Sequence, residues 1–173
     1  MPEILHNIYN DLVGVTHSGR MLTKKGLVLG SLGGTVSGQS VLNSPTDFYY
    51  NFNTALQGFE ATSDPGDSPA VWSPSMATVT EITEPLGGSD VITIRRATGD
   101  GNLVTAHASG SADLTLASTT GLSANDLVVA ATCEGSDAFQ ITAITGTALA
   151  HNTGAGTPGN ATQPLSRSYA NGQ

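Results

Sequence analysis

Cysteine is nearly absent from this chain: Cys133 is the only one in 173 residues, so no disulfide can close within the sequence. Charge is scarce at 12% of residues, and basic charge scarcer still, with six Lys and Arg against 14 Asp and Glu. The net charge of −8 excludes the concentrated basic face that nucleic-acid phosphates require. Long hydrophobic runs are also missing. Stretches such as Leu27–Leu29 and Leu127–Ala131 fall far short of the roughly 20 residues a membrane-spanning helix needs. No basic start followed by an apolar stretch and a small-residue cleavage site marks an export signal.

What remains is rich in Gly, Ser, Thr, Ala and Asn, a composition suited to short strands and tight turns. The length suits one principal core. At the N-terminal end, Ile4, Leu5, Ile8, Tyr9, Leu12 and Val13 recur at helical spacing behind Pro2 and Glu3, which predicts an amphipathic helix over residues 3 to about 17. Residues 26–42 are punctuated by glycine and read as irregular. They hold no P-loop, because Lys24 and Lys25 precede the glycines instead of following them.

Phe48, Tyr49, Tyr50, Phe52 and Phe59 bring five rings into twelve residues. The bland reading is a core anchor and the functional one a carbohydrate-stacking platform. A proline-rich loop follows, with Trp72 expected to pin it to the body; Asp64 and Asp67 read as solvated turn residues rather than calcium ligands. In SDVITIRRA, Val91, Thr93 and Arg95 alternate with Ile92, Ile94 and Arg96, which predicts a central strand. NLVTAHA, ADLTLA, DLVVAATC, DAFQITAIT and TALAHN then read as short strands of an antiparallel meander or small barrel, with residues 98–151 as a sub-lobe.

The expected architecture is therefore α+β, an N-terminal helix packed on an antiparallel β-rich body, divided at about residue 42. Val91, Ile92, Ile94, Leu127, Val128, Val129, Phe139 and Ile141 are the expected core of that body.

No catalytic, cofactor-binding or metal constellation emerges. Cys133 would need a nearby histidine to act as a nucleophile, for which His107 and His151 are the candidates, and the adjoining Glu134 would raise its pKa if close. No C-x-x-C or H-x-x-H spacing offers a metal site. Cys133 reads as a structural thiol, with an intermolecular disulfide as its alternative fate. On a helix, His6 and His17 would share a face but lie three turns apart, too far to share a metal. No G-x-S-x-G motif is present, and Asp90 and Asp126 read as turn or strand-start residues.

From about Asn43 the order of motifs resembles the PilW-type minor pilins of bacterial type IV pili. The resemblance rests on FNTALQGFEA (52–61), VWSPSM (71–76), PLGGSDVITIRRA (85–97), GLSANDLVVAATCEGSDAFQIT (121–142) and HNTGAGTPGNATQPLSRSY (151–169). It implies a pilin-like head and a structural role in pilus assembly or priming, attachment and motility, on an extracellular filament, in the periplasm or at the cell surface. Implied partners are other minor pilins, the major pilin and a tip adhesin. Family members begin with a basic leader and a long apolar helix, carry a second cysteine soon after it, and continue past the equivalent of Tyr169 with further strands. This sequence opens MPEILHNIYNDL, has no cysteine in residues 14–42 and ends in a loop-like stretch, so it is expected to be a fragment or an unusual relative. The alternative classes are an adhesive, glycan-binding module and a phage or virion structural protein.

Overall fold

A computed structural model describes residues 4–14, 37–83, 85–132, 135–154 and 156–169, with 4–14, 37–38 and 96–100 described by their backbone path. The described residues form ten strands: β1 (Ile4–Gly14), β2 (Ser37–Ser40), β3 (Leu56–Ala61), β4 (Trp72–Ser73), β5 (Val91–Ala106), β6 (Asp113–Leu116), β7 (Leu127–Ala131), β8 (Gly135–Gln140), β9 (Ala143–Thr145) and β10 (Ala148–Ala150). Among the described residues the only helical element is a 3₁₀ turn at Phe48–Tyr50.

The expected α+β class, with its N-terminal helix, is therefore corrected to an essentially all-β fold. Residues 4–14 form a central strand, paired antiparallel with β5 along one side and with β7 along the other. The physical reason lies in residue type. Asn7, Asn10, Asp11 and Gly14 are poor helix formers, and Ile4, Ile8, Tyr9 and Val13 favour strands. Apolar residues in adjacent couples are compatible with a strand as well as a helix, so their spacing does not decide between the two states. His6 consequently lies in a strand, while His17 and Lys24–Lys25 fall outside the described residues. Of the glycine-punctuated segment, Ser37–Ser40 is a strand parallel to β8, a departure from the all-antiparallel expectation.

The strand order is β2-β8-β7-β1-β5-β6-β10-β9, with β3 flanking the first half of β5 and β4 pairing β3. Strand β5 joins into one element the two strands expected around residues 91–97 and 102–108. Its register with β1 slips between Leu5 and Asn7, where the partners step from Asn102 to Thr98. Gly101 sits in that irregularity at φ 74°, a left-handed conformation that glycine adopts without a Cβ clash.

The two ends of the sheet face each other across the main core. Val128, Ala130, Phe139 and Ile141 from the β7–β8 end meet Val104, Leu114, Leu116 and Leu149 from the β5–β6–β10 end. Val41, Leu165 and Tyr169 complete the cluster. A second cluster on the opposite face of β7 and β8 joins Val129 and Ala138 to Leu42 and Phe52. A third, of Phe59, Met76, Ile82 and Val91, anchors the loops beside β3. Each fully buried apolar side chain contributes about 1.5–3 kcal/mol. Of the expected core, Val91, Val128, Val129, Phe139 and Ile141 are buried, while Ile92, Ile94 and Leu127 are half-buried.

Candidate functional site

Arg95 stands on the β5 face shared with Val91 and Thr93, and all three are buried. A cation in that position needs partners, and they come from the aromatic segment. Its Nε and Nη2 donate to the carbonyl of Phe48 at 3.1 and 2.6 Å, Nη1 to that of Thr54 at 2.9 Å, and Nη2 to Gln57 Oε1 at 3.1 Å. The guanidinium carbon also lies 4.8 Å from the centre of the Phe48 ring, in cation–π range. These acceptors are all neutral. Burial lowers the Arg95 pKa, but a guanidinium stays protonated in proteins.

What Arg95 holds is one wall of a cleft of about 410 Å³. The 3₁₀ turn supplies Phe48, Tyr49 and Tyr50 to the lining, and Asp47 just before it, Gln57 and Glu81 also line it. The Phe48 and Tyr49 rings meet edge to face at 6.3 Å, and Tyr49 and Tyr50 are tilted at 6.4 Å. The facing loop is set by the third core cluster, whose Met76 and Ile82 are buried on either side of Val79. Tyr49 is 40% exposed and Tyr50 half-buried. Trp72 is not part of this lining; it is half-buried against the third cluster, and its indole N–H donates to the Ser89 carbonyl at 2.9 Å. The loop is thus pinned to the body as expected of that tryptophan.

A second polar constellation lies in the main core and is enclosed. Asp137 is fully buried, and its Oδ2 accepts from the Ser166 N–H at 2.9 Å, the Ser166 hydroxyl at 2.8 Å and the Tyr169 hydroxyl at 2.8 Å. The Tyr169 N–H donates to His107 Nδ1 at 3.2 Å. His107, His151 and Phe139 stack in tilted pairs, with centroids at 5.9 Å for the histidines and 4.9 Å for Phe139 and His151. Among the described residues, neither ring nitrogen of His151 has a hydrogen-bond partner, nor have His107 Nε2 and Asp137 Oδ1. Burial, reinforced by His107, pushes the His151 pKa down to about 4. Burial also lowers His107, and burial followed by the Asp137 charge raises Tyr169.

Alongside, Asn160 binds β8 as a strand would. Its Oδ1 accepts from the Gln140 N–H and its Nδ2 donates to the Gln140 carbonyl, both at 2.8 Å. The Gln140 amide returns the contact through Gly159 N–H at 2.9 Å and the carbonyls of Asn125 and Thr157 at 3.0 Å.

The residues singled out by sequence are dispersed. Asp64 and Asp67 share a surface turn, and Asp90 and Asp126 accept backbone N–H groups from Ala61 and Ser123. Among the described residues no group of three His, Cys, Asp or Glu could hold a metal ion. Cys133 and Glu134 lie outside the described residues. His107 and His151 come together, although nothing in their 44-residue separation announces it. Alternation places Arg95 on the right face but does not announce its burial. Sequence reasoning misses Asp137, Gln140 and Asn160; the available signal is a lone carboxylate and amide inside the apolar run of β8.

No helix among the described residues is long and apolar enough to cross a membrane. No family model, no curated protein and no solved structure matches the chain.

Proposed function

We propose that the chain is a structural subunit of the minor-pilin kind, which helps assemble or prime a type IV pilus and so serves attachment and motility. The observation that carries this reading is where the resembling motifs fall. The stretches 121–142 and 151–169, distant in sequence, are laced together through Gln140 with Asn160 and through Asp137 with Ser166 and Tyr169. The stretches 52–61 and 85–97 pair as β3 and β5. Motifs that recur in a fixed order are expected when each supplies one side of a buried contact, because neither side can change alone.

The role is mechanical and assigns no reaction. Partners would be other minor pilins, the major pilin and a tip adhesin, at the filament, the periplasm or the cell surface. Among the described residues strands β2 and β9 end the sheet, and an open edge is a ready surface for pairing between heads. The test is genetic and biochemical. Disrupting the gene in its source bacterium should remove surface pili and twitching, complementation should restore both, and antibody to this chain should label sheared filaments. Normal piliation in the disruptant, or recovery of the chain from purified virions, would overturn the reading.

A further inference from the structure

We propose that the cleft beside Tyr49 binds an uncharged saccharide, an inference independent of the pilus reading. Its volume of about 410 Å³ lies at the lower end of the range for small-molecule sites, about 300–1,000 Å³, with room for roughly one or two sugar rings. The lining combines what a pyranose needs: aromatic surface for its C–H face and side chains that exchange hydrogen bonds with vicinal hydroxyls. Phe48, Tyr49 and Tyr50 supply the first, and Asp47, Gln57 and Glu81 the second.

Charge narrows the class. Two carboxylates line the cleft and the chain carries −8 overall, so an acidic sugar would be repelled. Arg95 is fully buried behind Phe48 with its guanidinium nitrogens turned to Phe48, Thr54 and Gln57. It is a positioning residue: a guanidinium is costly to bury, and the contacts that offset this cost fix two lining residues.

The experiment is calorimetric titration of the protein with a panel of neutral mono- and disaccharides, and with choline as a cationic probe of an aromatic, acid-lined cleft. At least one neutral saccharide should bind saturably, and Tyr49→Ala and Glu81→Gln should each weaken it by about tenfold or more. Leu86→Ala, at an exposed leucine that does not line the cleft, should leave binding unchanged. The inference is overturned if no panel member binds at about 10 mM to cooperatively folded protein. It is equally overturned if Glu81→Gln retains full affinity, or if choline alone binds.

Discussion

Arg95 and His151 are both wholly buried nitrogen-bearing side chains, yet their surroundings are opposite. Arg95 makes four hydrogen bonds to three residues and backs an open cleft. His151 sits between Phe139 and His107 with neither ring nitrogen bonded, in a closed core. Near it, Asp137 gathers three donors on one oxygen and leaves the other unpartnered. The difference separates two uses of buried polarity: the first region fixes a concave surface in place, and the second locks the 151–169 segment onto β8 while holding polar atoms that lack hydrogen-bond partners among the described residues.

The lock should break with the largest effect. Tyr169 is fully buried, fills the main core and donates to Asp137. Tyr169→Ala should cost about 3–5 kcal/mol, from lost packing and a carboxylate deprived of a donor. Tyr169→Phe, which keeps the packing, should cost about 1–3 kcal/mol. Urea unfolding monitored by far-UV circular dichroism measures both, and equal losses would show that the hydrogen bond to Asp137, not packing, carries the residue's contribution.

Acidification should probe the same region more gently. The His151 pKa is depressed to about 4 in the fold against 6.5 for the free side chain, so the unfolded chain takes up the proton first. Its neutral form supports folding fully above pH 6.5, and that support is lost as pH falls towards 4. The change amounts to about 3 kcal/mol, and His107, also depressed by burial, adds in the same direction. His151→Leu should flatten the dependence between pH 6.5 and 4 and leave stability at pH 7 within about 1 kcal/mol, since no hydrogen bond is removed. Denaturation midpoints at pH 7, 5.5 and 4 would test this; an unchanged slope in the variant would place the acid sensitivity elsewhere.

On the cleft side, Arg95→Met should destabilise by about 2–4 kcal/mol. The methionine fills the space but leaves the Phe48 and Thr54 carbonyls and Gln57 Oε1 without this donor. Arg95→Lys should recover part of the loss, because an ammonium keeps the charge but cannot span three acceptors with a planar fork. Thermal unfolding of the two variants would decide. Equal stability of the Arg95→Met variant and the parent protein, contrary to expectation, would make the cation dispensable for the fold.

The two regions also differ in how far the sequence discloses them. Alternation in residues 91–96 and the apolar run at 127–131 place those strands and much of the core, the first because one face is buried more deeply than the other and the second because both faces are covered. The ring-rich stretch at 48–59 marks the cleft's aromatic side. The first strand misleads because its apolar couples satisfy a helical stripe as readily as a strand paired on both edges, and pairing is a tertiary fact. The lock is invisible for a related reason. Contacts such as Asp137 with Tyr169 and Gln140 with Asn160 span 32 and 20 residues and carry no local period.

The smallest effect is expected where the comparison is sharpest. Tyr49 and Tyr169 are both tyrosines, one 40% exposed on the cleft and the other fully buried in the lock. Truncating an exposed side chain usually moves stability by no more than about 0.5 kcal/mol, whereas emptying a core site leaves a cavity that the surrounding strands only partly fill. Tyr49→Ala should therefore melt within about 2 °C of the parent protein, while Tyr169→Ala melts far below it. The two variants remove the same atoms, so the difference isolates what enclosure adds. A large loss from Tyr49→Ala would mean that the aromatic turn is a structural prop and that the cleft depends on this ring for its shape.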